Sequence, residues 1–251
     1  MLYASDELSL QFNNYSMIKD RVYGNELKEY DRSFQVASDT LFAVNDIMKA
    51  NEKVLAKAQI SMNTSTKIVK SVEKISISIA ESLNETHSSF TFTDSNLAMS
   101  VSLVNQNHSS TSVVTYNELI QRETTLGIYQ DNREVDFATD KSMNGMLVLP
   151  GAAVTSNKSI VLRSVTYRKG VFFLNQHQLD NITSGGRVVE HAVGSNVLSV
   201  SIGEEEKRTE LEEPVTISFR NDSQSIGTGV IMFWDFEIGN YLFFSWNLIT
   251  K

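Results

Sequence analysis

The fold is decided by the stretch Ile68-Val69-Lys70-Ser71-Val72-Glu73-Lys74-Ile75-Ser76-Ile77-Ser78-Ile79-Ala80-Glu81-Ser82-Leu83-Asn84-Glu85-Thr86-His87-Ser88-Ser89-Phe90-Thr91-Phe92-Thr93. In its first half Ile68, Val72, Ile75, Ile79 and Leu83 recur every three or four residues, which lines one face of a helix. In its last five residues the period drops to two, the signature of a half-buried strand. The change of period falls near residue 87.

Toward the N-terminus the helical rhythm continues. Phe34, Ala37, Leu41, Val44, Met48, Leu55 and Ala58 keep the same spacing, with Asn51 in the one polar slot, so one helix is expected over residues 31–60. The Asn63-Thr64-Ser65-Thr66 cluster breaks the pattern and offers hydroxyl N-caps for a second helix. Two amphipathic helices joined by a short polar turn should pack antiparallel. The stripe is too short and too interrupted for an intermolecular coiled coil, so an intramolecular core is the better account.

Toward the C-terminus every apolar run is short and β-rich. Met99–Leu103 alternates, and runs at Ser112–Tyr116, Val135–Ala138, Met146–Leu149, Ile160–Tyr167, Val171–Leu174, Val188–Ala192, Val197–Ile202, Val215–Phe219 and Gly229–Phe236 follow. Clusters such as Asp140–Gly145, Asn181–Gly186 and Asn221–Gly229 separate them. Helices first and many short strands afterwards give an α+β class: an N-terminal helical subdomain over 1–87, then a twisted antiparallel β-sandwich over 88–251.

Composition narrows the function. Hydrophobic residues are 41% and charged residues 21% of the 251, which excludes wholesale disorder. Lys plus Arg is 22 against 30 for Asp plus Glu, so nothing favours a phosphate backbone and no nucleic-acid partner is expected. The absence of cysteine removes thiolate metal sites, iron–sulfur clusters, cysteine nucleophiles and disulfides together. The first thirty residues lack a basic start followed by an apolar run, so no signal peptide is read there. No run approaches the roughly 18 apolar residues of a membrane span.

Catalytic motifs are missing. There is no G-x-S-x-G elbow, phosphate-binding glycine loop or H-E-x-x-H. His87, His108, His177 and His191 are at least 14 residues apart, so no two share a helix face for a metal. No catalytic residue, cofactor or metal is therefore assigned. A dispersed Ser–His–Asp site using His177 or His191 stays open as an alternative, because such residues converge from distant positions. A plain adhesion or carbohydrate-binding sandwich is the other. Gly185-Gly186 reads as a hairpin turn, Glu204–Glu213 as a solvated loop, and Phe233-Trp234-Asp235-Phe236 as a buried strand. Asn-x-Ser/Thr occurs at Asn14, Asn63, Asn84, Asn107, Asn157, Asn181 and Asn221, seven candidate glycosylation sites where about four are expected by chance.

The last sixty residues resemble a known family. Asn196-Val197-Leu198-Ser199-Val200-Ser201-Ile202-Gly203 precedes Lys207-Arg208-Thr209-Glu210-Leu211 and Glu213-Pro214-Val215-Thr216-Ile217-Ser218-Phe219; Phe233-Trp234-Asp235-Phe236 follows after a polar loop. This order resembles the GAIN domain of adhesion G-protein-coupled receptors, whose Phe-Trp-Asp-Phe strand opens the proteolysis-site motif. Ser159–Tyr167 and Val171–Leu174 are similar to the preceding strand pair. The motif is partial: Ile231 stands where the family has cysteine, and no cysteine follows. Asn247-Leu248-Ile249-Thr250 can be laid over the family's Asn-His-Leu-Thr, with Leu248 in place of histidine, or the match stops near Asn240 and the tail is unrelated.

The resemblance implies an extracellular, juxtamembrane module at the cell surface, part of a longer membrane-spanning receptor. Such a module would be non-enzymatic and glycosylated. It would hold the receptor's activating segment and respond to an extracellular protein or matrix ligand. With Leu248, Ile249 and Thr250 at the degenerate cleavage position, it would not cut itself.

Overall fold

The computed structural model describes residues 26–104, 110–117, 124–130, 140, 142–151, 160–168, 197–203, 215–219, 232–235 and 240–243. Helix α1 spans Glu26–Met48 and buries Ala37, Leu41, Val44 and Met48, the stripe read from the sequence. It does not continue to residue 60. Asn51 adopts an extended backbone and accepts the Lys53 N–H on its side chain, capping a separate helix α2, Glu52–Met62. An asparagine at that slot satisfies an orphan donor of a new helix start better than it fills a helix interior. The face resets with it: Leu55, Ala56 and Gln59 are buried, while Ala58 is only partly so.

Asn63 alone joins α2 to α3, Thr64–Ser82, with a left-handed backbone (φ 53°, ψ 43°) whose N–H donates to Gln59 O. Asparagine is among the few residues that tolerate that conformation. The expected hydroxyl cap is replaced by a glutamine: Gln59 Oε1 accepts the Ser65 N–H at 2.7 Å. The Thr64 hydroxyl turns back to donate to Ala58 O at 3.0 Å. Along α3, Ile68, Val72, Ile75 and Ile79 are buried as the spacing predicts.

Two antiparallel four-stranded sheets follow. The first has the order β1-β2-β6-β7, from Ser89–Thr93, Leu97–Val104, Ile160–Tyr167 and Val197–Ile202. The second has the order β4-β3-β5-β8, from Thr124–Gln130, Ser110–Asn117, Met143–Pro150 and Thr216–Phe219. Strand β4 is not among those read from the sequence, because Gly127 at its centre looks like a breaker. Here the missing side chain is used: a Cβ on Gly127 would lie 2.6 Å from the ring of Tyr129. The Tyr129 hydroxyl meets that of Tyr116 at 2.8 Å. The expected strands at 135–138, 171–174 and 188–192 lie outside the described residues.

The core has two storeys, and the first sheet is their shared floor. On one face Leu97, Met99 and Val101 of β2 with Val165 and Tyr167 of β6 join the buried stripes of all three helices in one apolar cluster. On the other, Ala98, Val104 and Leu162 pack with Val113, Leu126 and Leu149 of the second sheet. A strand covered on both faces loses its alternation, and Leu97 to Val101 are all buried. The layers are therefore helices, sheet, sheet, and the helices have no core separate from the first sheet.

Candidate functional site

Phe233, Trp234 and Asp235 of the motif core lie on β9, Met232–Asp235. That strand pairs antiparallel with β10, Asn240–Phe243, in the register Asn240↔Asp235, Tyr241↔Trp234, Leu242↔Phe233 and Phe243↔Met232. The backbone thus sets Trp234 directly opposite Tyr241 in a two-stranded sheet. Strand β10 is a second element missed in the sequence, where Asn240 onward reads as an apolar tail. The aromatic-rich run Tyr241-Leu242-Phe243 after Gly239 is the signal that could have marked it. Phe236, and the cleavage position Leu248, Ile249 and Thr250, lie outside the described residues, as does the side-chain burial expected for Trp234.

Of the candidate glycosylation residues, Asn63 and Asn84 are described, and Asn14, Asn107, Asn157, Asn181 and Asn221 are not. Asn63 Oδ1 accepts from Gln59 Nε2 at 3.1 Å and from the Thr66 hydroxyl at 3.2 Å, so its side chain braces the helix joint. The serine of its triplet, Ser65, is 1% exposed. Asn84 follows the end of α3, where Leu83 has turned to an extended backbone. Its Oδ1 accepts the N–H groups of Thr86 and His87, each at 2.9 Å, and its own N–H donates to His87 O at 3.1 Å. Asn84, Glu85 and Thr86 are all exposed.

Catalytic machinery does not assemble among the described residues. His87 lies in the α3–β1 loop, and His108, His177 and His191 are outside the described residues, so the dispersed Ser–His–Asp alternative gains no geometry. No group of three or more His, Asp or Glu side chains there can hold a metal ion. No described helix is long and apolar enough to cross a membrane.

Displaced ionisations have structural causes. Burial pushes the Tyr167 phenol well above its ordinary value, with the Glu73 charge adding to it. Burial raises Tyr116 first, and its hydrogen bond to Tyr129 and the charge of Asp140 raise it further. Lys49 is raised chiefly by its hydrogen bond to Asp46, with Asp94 contributing.

A link between helices and sheet carries no sequence signal at all. Asn45 of α1, fully buried, reaches the β1–β2 turn at Asn96.

Comparison with known proteins places this arrangement. The family model described as GAIN subdomain B matches residues 9–247. The solved full extracellular region of zebrafish Gpr126/Adgrg6 is similar in fold, with a TM-score of 0.59 at 14% identity over 96% of this chain. The chain spans 31% of the length of that structure. No curated protein matches.

Proposed function

The chain belongs to the GAIN subdomain B family, and from that premise we propose that it serves as the extracellular, juxtamembrane module of an adhesion G-protein-coupled receptor. The observation that carries the proposal is the family match across residues 9–247, running from the helices to the hairpin that bears Phe233, Trp234 and Asp235. In this reading the module is a glycoprotein part of a longer, membrane-spanning receptor. Residues 1–87 act as its helical subdomain and 88–251 as its sandwich. It holds the activating segment near its C-terminal end, engages an extracellular protein or matrix ligand, and uses no cofactor.

The module acts as a holder and not as an enzyme. Self-cleavage in the family it resembles has histidine take the proton of a Thr or Ser hydroxyl, which attacks the preceding carbonyl. A hydroxyl without a base in reach is a weak nucleophile at neutral pH. Leu248 offers no acceptor, which supports an uncut chain.

The placement is tested on cells. An antibody raised against the α1–α3 segment should stain intact, unpermeabilised cells that make the endogenous protein. Staining that appears only after permeabilisation would sink the extracellular assignment.

A further inference from the structure

We propose that Asn84 carries an N-linked glycan. This rests on the secretory placement proposed above and adds the site and its local reason. Two backbone N–H donors converge on one side-chain atom of Asn84, which fixes that atom as the amide oxygen, since an NH2 group cannot accept them. The amide is planar, so Nδ2 points away from the loop that Oδ1 faces. Among the described residues it makes no hydrogen bond, and the residue is exposed.

Glycosylation forms a bond from Nδ2 to the anomeric carbon of an oligosaccharide and breaks that carbon's bond to a lipid diphosphate, the leaving group. One Nδ2 proton is lost. The donor is a lipid-diphosphate oligosaccharide, supplied wherever secretory chains are made. Oδ1 stays an acceptor throughout, so the Thr86 and His87 bonds survive modification. The loop is thus folded around the half of the amide that the sugar leaves alone. At Asn63 the same triplet is built into the helix joint, with Ser65 buried. A glycan on Asn84 would cover residues 83–88, the segment that leads from the helices into the first strand.

The test routes the chain through a mammalian secretory pathway and maps its glycopeptides. Enzymatic removal of the sugar in heavy-oxygen water converts an occupied asparagine to labelled aspartate, and Asn84 should be so labelled. Thr86→Ala deletes the acceptor triplet but keeps the Thr86 N–H bond to Asn84, so the fold is preserved; it should lose one glycan, as should Asn84→Gln. Thr86→Ser should keep it. Label on other asparagines with Asn84 unmodified overturns the inference and leaves the secretory placement standing. No label on any asparagine overturns it as well, while the placement is decided separately by the staining of intact cells.

Discussion

Asn45 on α1 and Asn96 in the β1–β2 turn are 51 residues apart in sequence and meet in the interior, where Asn45 Oδ1 accepts the Asn96 N–H at 3.0 Å. The same asparagine's backbone continues the sheet, since Asn96 O accepts the Arg168 N–H at 2.9 Å. Just past the end of α1, the Lys49 ammonium lies 2.9 Å from Asp46 and 4.0 Å from Asp94. The Lys49–Asp46 pair is exposed and the Lys49–Asp94 pair is long, so both contribute little; the buried amide contact is the stronger tie.

Asn45→Ala should therefore cost about 1–3 kcal/mol, because it strands a buried N–H without its acceptor. Urea unfolding reads this as a lower midpoint at unchanged slope. Lys49→Ala should leave the midpoint nearly where it was. A neutral Asn45→Ala would mean that water or another group takes over the Asn96 donor.

The common cluster of helices and first sheet predicts one transition for both. Leu41 is fully buried in that cluster, and Leu41→Ala should cost about 2–5 kcal/mol. Far-ultraviolet signals from helix and strand should fall together in the mutant as in the parent. If the helical signal melts first while strand signal persists, the helices have a stability of their own.

Gly127 and Tyr129 make a matched pair. Gly127→Ala puts a Cβ into the space of the Tyr129 ring, whose tip must swing away and release the Tyr116 hydroxyl. The expected loss is about 1 kcal/mol, the net worth of the hydrogen bond. In a Tyr129→Ala background the same change should cost almost nothing, a coupling that a double-mutant cycle measures. Additive effects would show that the glycine is required for another reason.

Alkaline stability turns on Tyr167. Its phenol is raised above its ordinary value by burial, so it stays neutral in the folded chain at a pH where the unfolded chain ionises. Its stabilising contribution is whole below pH of about 10 and is lost progressively above it. Tyr167→Phe should flatten the decline of stability above that pH by up to about 1.4 kcal/mol per pH unit. An unchanged slope would place the alkaline sensitivity elsewhere.

The proposed absence of self-cleavage is tested by intact mass of the purified, deglycosylated chain. Full-length mass is expected. Spontaneous loss of the Thr250-Lys251 dipeptide, abolished by Thr250→Ala, would overturn it.

What was legible in the sequence follows from where a residue's partners lie. The stripe of α3 and strands such as Ile160–Tyr167 are periodic and local, and their bounds follow closely from the pattern, whereas the single helix expected over 31–60 is two helices divided at Asn51. The break at Asn51 was hidden because an asparagine in a polar slot fits a helix surface as well as a cap. Strand β4 was hidden because the ring that uses the space at Gly127, Tyr129 on the same strand, is held there by the Tyr116 hydroxyl of β3, a partner no local pattern reports. Continuous burial of Leu97–Val101 depends on layers above and below, which no local period reports. At the candidate site the motif on β9 was legible as a resemblance. Its pairing with β10 was not, since Asn240–Phe243 is short and lacks clear alternation.

The pairing of β2 with β6 has a kinetic consequence. Strands β3, β4 and β5 all lie in the chain between these two partners, so closing the first sheet means closing a loop that contains most of the second. Closure entropy delays such contacts, whereas the β1–β2 and β3–β4 pairs form between near neighbours. The chain should thus form its local hairpins before it closes the first sheet through β2 and β6. Amide protection should rise in the β1–β2 and β3–β4 pairs before β6, whose partners β2 and β7 are distant in the chain. The helices, which need the finished first sheet beneath them, should lock last.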